Sequence, residues 1–149
     1  MTAQEMWNQF KIHANPGTDQ YEAWQFGDDP DALAQLVLSG KKTATASAYP
    51  LYQLENEPLP KPGEYSVILD SSDEAVCVIR NVRVTVVPYR EVAAEHAFRE
   101  GEGDRSLTYW RQVHEAFFTR ELTEAGLTFD ESMPVVCEEF EVVFSIQKE

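Results

Sequence analysis

Positive charge is what this chain has least of. Twelve lysines and arginines stand against 26 aspartates and glutamates, a formal net charge of −14. Non-specific nucleic-acid binding draws its affinity from basic side chains that neutralise phosphates, so a long polynucleotide track is excluded as the main binding mode. Any RNA contact must be local, and a small nucleoside or a single nucleotide suits this charge better; the acidity serves solubility equally well. Cysteine is nearly absent. Cys77 and Cys137 each sit inside an apolar, β-like run without metal-ligand spacing, which predicts buried free thiols and no disulfide. No apolar run reaches membrane-spanning length, and the start Met1-Thr2-Ala3-Gln4-Glu5 has neither a basic nor an apolar leader segment, so no membrane partner and a cytoplasmic location are expected. Glycine-rich phosphate loops, zinc spacings and a Gly-x-Ser-x-Gly elbow are also missing.

What is present reads as one domain with a real core: 149 residues, 43% of them hydrophobic. Met6, Trp7 and Phe10 recur at helical spacing over residues 2–14, and Asn15-Pro16-Gly17 ends that helix. After Tyr21, Trp24 and Phe26, the acidic Asp28-Asp29 cap and Pro30 open a helix to Leu38, with Gly40 near its C′ position. Pro50 interrupts a β-like run, and Leu51, Tyr52 and Leu54 form a short helical turn. Pro58, Pro60 and Pro62 force a loop. Strands follow at residues 64–70 and 75–80, joined by Ser71-Ser72-Asp73-Glu74. Asn81 marks a bend or bulge before a further strand with Val82, Val84 and Val86 on one face. A short helix spans 90–98, and Asp104 caps a long helix, roughly 105–125, that ends at Gly126. The last strand, 135–146, shows Val136, Phe140, Val142, Phe144 and Ile146 on one face, broken by Glu138. Strands interrupted by helices, with short hairpin loops, imply an α+β fold: a small mixed barrel with helices packed outside.

Chemistry concentrates in Ser39-Gly40-Lys41-Lys42-Thr43-Ala44-Thr45-Ala46-Ser47. A helix that ends at glycine and turns directly into a strand points its junction residues into a cleft. There lysine and threonine can polarise, protonate or attack a bound carbonyl or phosphate, or the lysines merely complement the helix dipole. Lys42 and Thr45 lie at i and i+3, so a regular strand would send them to opposite faces and a bend is required for both to reach one ligand. A second segment, His96-Ala97-Phe98-Arg99-Glu100-Gly101-Glu102-Gly103-Asp104, reads as a flexible acidic loop that could bind a cation or position a general acid or base, or simply be solvated. On the long helix, His114 shares a face with Leu107, Trp110, Phe117 and Phe118, the pattern of a hydrogen-bonded core histidine. Trp110 lies near the acidic segment and could also stack on a base.

Taken together these pieces resemble the ASCH domain family, whose β-barrel is similar to the PUA RNA-binding domain. The residues that carry the likeness are Trp24-x-Phe26-Gly27, Leu36-x-x-x-Gly40-Lys41-Lys42-Thr43-Ala44-Thr45, Pro62-Gly63-Glu64-Tyr65, Glu95-His96-Ala97, Glu100-Gly101-Glu102-Gly103-Asp104-x-Ser106-Leu107 and Trp110-x-x-x-His114-x-x-Phe117-Phe118. The likeness runs from Tyr21 onward and is closest to the longer bacterial branch. It makes residues 1–149 a single ASCH domain with a helical extension over 1–20. It implies RNA or its building blocks as partner: some members hydrolyse N4-acetylcytidine, one is a metal-dependent ribonuclease, and others bind RNA without turnover. The amidohydrolases' catalytic lysine, threonine and glutamate fall on Lys42, Thr45 and Glu100. Lys41, Thr43, Ser47 and Trp110 are then expected to contact substrate. The amidohydrolases follow the second threonine with x-Arg, where this chain has Ala46-Ser47, and they lack the Trp110/His114 helix signature. In the amidohydrolase reading Lys42 activates Thr45 or a water for attack on an acyl carbon, Glu100 orients Lys42 or shuttles the proton to the leaving amine, and no cofactor is needed. In the ribonuclease reading Lys42 stabilises the phosphorane, and Glu100 or Asp104 holds a divalent ion. The expected ligand is thus a nucleoside or single-stranded RNA, in a hydrolase or in a non-catalytic binding module.

Overall fold

The computed structural model describes residues 1–146. Each main helix begins where a side chain can satisfy its free N–H groups. Helix α1 (Ala3–Ala14) starts with a reciprocal capping box between Thr2 and Glu5. Helix α2 (Pro30–Leu38) starts at Asp29, which accepts from the Ala32 N–H. It closes at Gly40, whose φ of 84° lets its own N–H reach Val37 O while Lys41 N–H reaches Leu36 O. The chain is thereby reversed at the lysine pair and enters β2 (Ala44–Ala48).

Five strands form one curled sheet, half of a barrel, in the order β1-β3-β4-β5-β2. Strand β1 (Glu22–Gln25) runs parallel to β3 (Tyr65–Leu69). The remaining neighbours β3, β4 (Ala75–Pro88), β5 (Pro134–Ser145) and β2 are antiparallel. Register shifts at Ile68/Leu69, Val78/Ile79 and Asn81/Arg83 mark the irregularities that bend such a sheet. The two strands expected around Asn81 are therefore one long strand with an irregularity at that residue. The short strand β1 was not expected, because four residues show too little alternation to register.

Helix α1 lays Met6, Trp7 and Phe10 against Val67 and Val78. Helix α2 lays Ala34 and Val37 on the neighbouring residues Ile68, Cys77 and Ile79, with Phe26 and Phe140 beside them. In an antiparallel pair directly opposed residues share a face, so Val67/Val78 and Ile68/Cys77 put these two helices on opposite sides of the sheet. The third cluster joins β5 and the end of β4 to α4 (Ala94–Glu100) and α5 (Leu107–Glu124) through Tyr89, Ala97, Trp110, Phe118, Leu122, Val135 and Cys137. Both cysteines are free and buried. Helix α3 (Tyr49–Leu54) carries Pro50 in its first turn, where a missing N–H costs nothing. Among the described residues no helix is long and apolar enough to cross a membrane.

Two boundaries differ from expectation. The long helix starts at Leu107 with Ser106, not Asp104, as N-cap; Asp104 instead accepts the Ser106 N–H from an exposed position. Residues 96–100 belong to α4 and not to a loop, and the short 3₁₀ turn Tyr89–Glu91 is separate from it.

Candidate functional site

The bend demanded by the Lys42–Thr45 spacing is present: Lys42 precedes β2 and Thr45 lies within it. A pocket between α2, β2 and α5 is lined by Phe26, Lys42, Thr45, Glu100, Glu102 and His114, and has a cavity volume of about 70 Å³. The structure thus brings Lys42, Thr45 and Glu100 to one place.

Lys42 is 2% exposed. Its Nζ donates to Glu100 Oε1 at 3.3 Å and to Glu102 Oε2 at 3.2 Å, and lies 5.2 Å from the centre of the Phe26 ring. Two loop features make this possible. The Thr43 N–H donates to Arg99 O, tying the start of β2 to the end of α4. Gly101 then turns the chain with φ +75°, at a point where any Cβ would stand 2.3 Å from Lys41 O. Only glycine lets the acidic segment lie on the Lys41–Lys42 backbone, which sets Glu100 and Glu102 on either side of one ammonium.

Glu100 is 1% exposed and accepts from all sides. Oε2 takes His96 Nε2 at 2.7 Å and Trp110 Nε1 at 2.6 Å. Oε1 takes Lys42, and His114 Nε2 lies 3.4 Å away. Burial by itself would raise this carboxyl; the Lys42 charge and the His114 and His96 hydrogen bonds outweigh it and hold Glu100 well below the usual carboxylate range. His114 answers in the opposite sense. Its Nδ1 faces Trp110 O at 2.9 Å and must carry a proton, because a carbonyl only accepts. Its Nε2 faces a carboxylate, which favours a second proton. Burial would lower this imidazole, yet the Glu100 hydrogen bond and charge prevail and raise it.

The remaining expected site residues fall elsewhere. Lys41 is exposed and does not line the pocket; its carbonyl accepts from Arg105. Thr43 directs its hydroxyl to Arg99 O at 3.5 Å. Trp110 is 2% exposed within the α4/α5 core and touches the site only through its N–H to Glu100, so its place is behind the carboxylate and not against a substrate. Ser47 shares a 2.8 Å hydrogen bond with the Tyr52 hydroxyl. Glu102 and His114 were not singled out for this pocket from the sequence. The Lys42 partnership of Glu102 depends on the turn at Gly101, whereas His114 was legible as a polar break in an apolar helical face.

Ligand atoms of Glu100, Glu102 and His114 all lie within 4.8 Å of one another, close enough for one ion. Two of the three oxygens and nitrogens that would bind it already face the Lys42 ammonium. The set therefore does not fit a resident divalent ion with Lys42 in this position, and Asp104, hydrogen-bonded to Ser106, is no part of it.

No curated protein matches the chain in sequence. Among solved structures, the ASCH domain from Lactobacillus crispatus JV V101 superposes with a TM-score of 0.88 at 31% identity, over 94% of this chain and 92% of that one. A protein from Enterococcus faecalis V583 gives a TM-score of 0.87 at 37% identity, over 94% and 86% of the two chains. The sequence pattern of the ASCH domain matches residues 22–144, every strand of the sheet but the last residue of β5. The chain belongs to the ASCH domain family.

Proposed function

We propose that the Lys42 pocket is the active site of a hydrolase that cleaves an amide on an uncharged, nucleoside-sized substrate. The observation that carries the reading is the buried Lys42 ammonium, clamped between Glu100 and Glu102 at a pocket wall shared with Thr45. Charge favours an amide over a phosphodiester. The ionic groups lining the pocket are Lys42, His114, Glu100, Glu102 and Asp28, and Asp28 is paired to Arg120. Both cations are already countered by carboxylates, so none is left for a phosphate.

The geometry also divides the labour. Glu100, saturated with donors and held strongly acidic, is a positioning residue that fixes Lys42. Lys42, ion-paired on both sides, holds Glu102 at the pocket wall that it shares with Thr45. Glu102, whose side chain is 19% exposed, is the carboxylate with access to the pocket. The nucleophilic oxygen is the Thr45 hydroxyl or the water it holds. As it bonds to the acyl carbon its proton passes to Glu102, and that proton leaves on the amine when the C–N bond breaks; where Thr45 is the nucleophile, a water then adds to the Thr45 ester, gives a proton to Glu102, and the Thr45 oxygen takes that proton back as the ester C–O bond breaks and the acid is released. An acyl ester trapped on Thr45 in a mass spectrum separates the two nucleophiles.

The test is hydrolysis of N4-acetylcytidine and of a short single-stranded RNA, with and without Mn²⁺, by wild type and Lys42→Ala. Deacetylation that ignores the metal and disappears in the variant is the expected result. Metal-dependent RNA cleavage lost in the variant replaces the reading with a nuclease. Binding of the nucleoside without turnover replaces it with a non-catalytic module.

A further inference from the structure

Beside the pocket lies a stretch of sheet that the hydrolytic groups do not use. Thr45 is opposite Glu138 across β2/β5, and Glu138 is opposite Val84 across β5/β4. Ser47, Val136 and Val86 form the next row. Directly opposed residues of antiparallel strands project to the same face, so the two rows continue one surface away from Thr45, which itself lines the pocket. The rows lie about 7 Å apart at 3.3 Å rise per residue.

This face has polar stations on an apolar floor. Asn81, only 8% exposed, donates its Nδ2 to Glu138 Oε1 at 3.0 Å. Among the described residues, no hydrogen bond is made by Asn81 Oδ1 or by Glu138 Oε2, so each of the two groups keeps one acceptor open. Ser47 and Tyr52 present a hydroxyl pair on the flank. Val136, in the middle of the second row, is fully buried, while Val86 is 43% exposed and Val84 half-buried, so the floor is uncovered only on its β4 side. The charges acting on Glu138 are the carboxylates Glu22 and Glu64, and on Tyr52 they are Glu138, Glu22 and Glu57. An anion is repelled from such a surface. A neutral heterocycle whose edge carries an N–H donor is matched by it, because a carboxyl or amide oxygen accepts from an exocyclic amine as glutamate and asparagine do at base edges.

We propose that the face formed by Ser47, Tyr52, Asn81 and Glu138 is the subsite for the heterocycle of the ligand, an uncharged nucleobase with an exocyclic N–H, which Glu138 and Asn81 read while Thr45 and Lys42 face the group beyond it. The assignment rests on the hydrolase reading for what happens at Lys42 but not for the binding itself. Burial, and the Glu22 and Glu64 charges, raise the Glu138 carboxyl.

The experiment is a titration of the full chain, followed by amide NMR shifts, with cytidine, adenosine, uridine and cytidine 5′-monophosphate. Wild type is compared with Glu138→Gln and Tyr52→Phe, and melting curves check that both variants fold. Cytidine or adenosine binding at least tenfold tighter than uridine and than the monophosphate is expected. Glu138→Gln should lose tenfold or more of that affinity, with shifts centred on Ser47, Asn81 and Glu138. Equal affinity for uridine, tighter binding of the monophosphate, no binding of any nucleoside, or unchanged affinity in folded Glu138→Gln overturns the proposal. The two readings fail separately. Turnover of N4-acetylcytidine with an unaltered KM in Glu138→Gln removes the subsite and leaves the hydrolase. Glu138-dependent binding with no turnover of any amide leaves the subsite and removes the hydrolase.

Discussion

Replacing Glu100 by glutamine deletes one charge and almost no volume, at a carboxylate that is 1% exposed. Its two oxygens face four donors: Lys42 and His114 on Oε1, His96 and Trp110 on Oε2. Whichever way the new amide turns, its NH₂ meets two donors head on. Lys42 also loses one of its two counter-charges while remaining buried. Removing one partner of a buried ion pair costs about 3–5 kcal/mol. Glu102 still touches Nζ at 3.2 Å, which places the expected loss near the lower end, about 3 kcal/mol. For a domain of this size that is a fall in Tm of roughly 6–12 °C. Urea unfolding followed by the fluorescence of the three tryptophans, with circular dichroism alongside, measures it. The double variant Lys42→Met/Glu100→Gln removes the orphaned charge and should recover more than 1 kcal/mol relative to additivity. A loss under about 1 kcal/mol in Glu100→Gln, or strict additivity in the cycle, refutes the view that these two residues form one buried electrostatic unit.

The pH dependence has two limbs. Glu100 is depressed from 4.5, so its contribution is complete above that pH and lost as pH falls through the folded value. His114 is raised from 6.5, so its contribution is complete below that pH and lost as pH rises through its folded value. Both act in full only between 4.5 and 6.5, and the wild-type minus His114→Gln difference in unfolding free energy should decline above 6.5. A flat difference from pH 5 to 9 contradicts the assignment. Gly101→Ala should cost at least about 2 kcal/mol and abolish activity, since its Cβ strikes Lys41 O. Gly40→Ala, with φ +84° and open space around it, should cost only the strain of about 1 kcal/mol; similar losses in the two, by urea titration, count against the close-approach argument. Trp110→Phe should lose about 1–3 kcal/mol by leaving Glu100 short of a donor, and unchanged stability would show that bond to be dispensable. The Cys77 and Cys137 thiols, pushed up to about 12 by burial, should resist iodoacetamide in the folded protein at pH 8 and react on unfolding, as read by mass.

Local signals carried far in this chain. The Asn15-Pro16-Gly17 stop, Asp29-Pro30 and the Gly40 and Gly126 terminations are short-range chemistry, and the helices begin and end within two residues of them. The alternation in β5 and the free thiols were legible for the same reason, whereas β1, held by a parallel partner some forty residues away, was not. The Lys42–Thr45 spacing announced a bend, and the family likeness pointed to Glu100 as its partner. No periodicity could say that Glu100 would gather four donors from three elements, that Glu102 would close the other side of the ammonium, or that Trp110 would stand behind the carboxylate. Those facts depend on Gly101 lying against the Lys41 backbone and on α5 crossing beside α4. The sequence by itself determined most of the helices and strands, though not β1 or the end of α4, and which residue types meet at the helix–strand junction, because caps, turns and periodicity act over a few residues. Tertiary structure alone decided which charges pair, which carboxylate keeps access to the pocket, and that Glu138 shares a face with Thr45, because burial and register bring together groups that the chain keeps sixty to ninety residues apart.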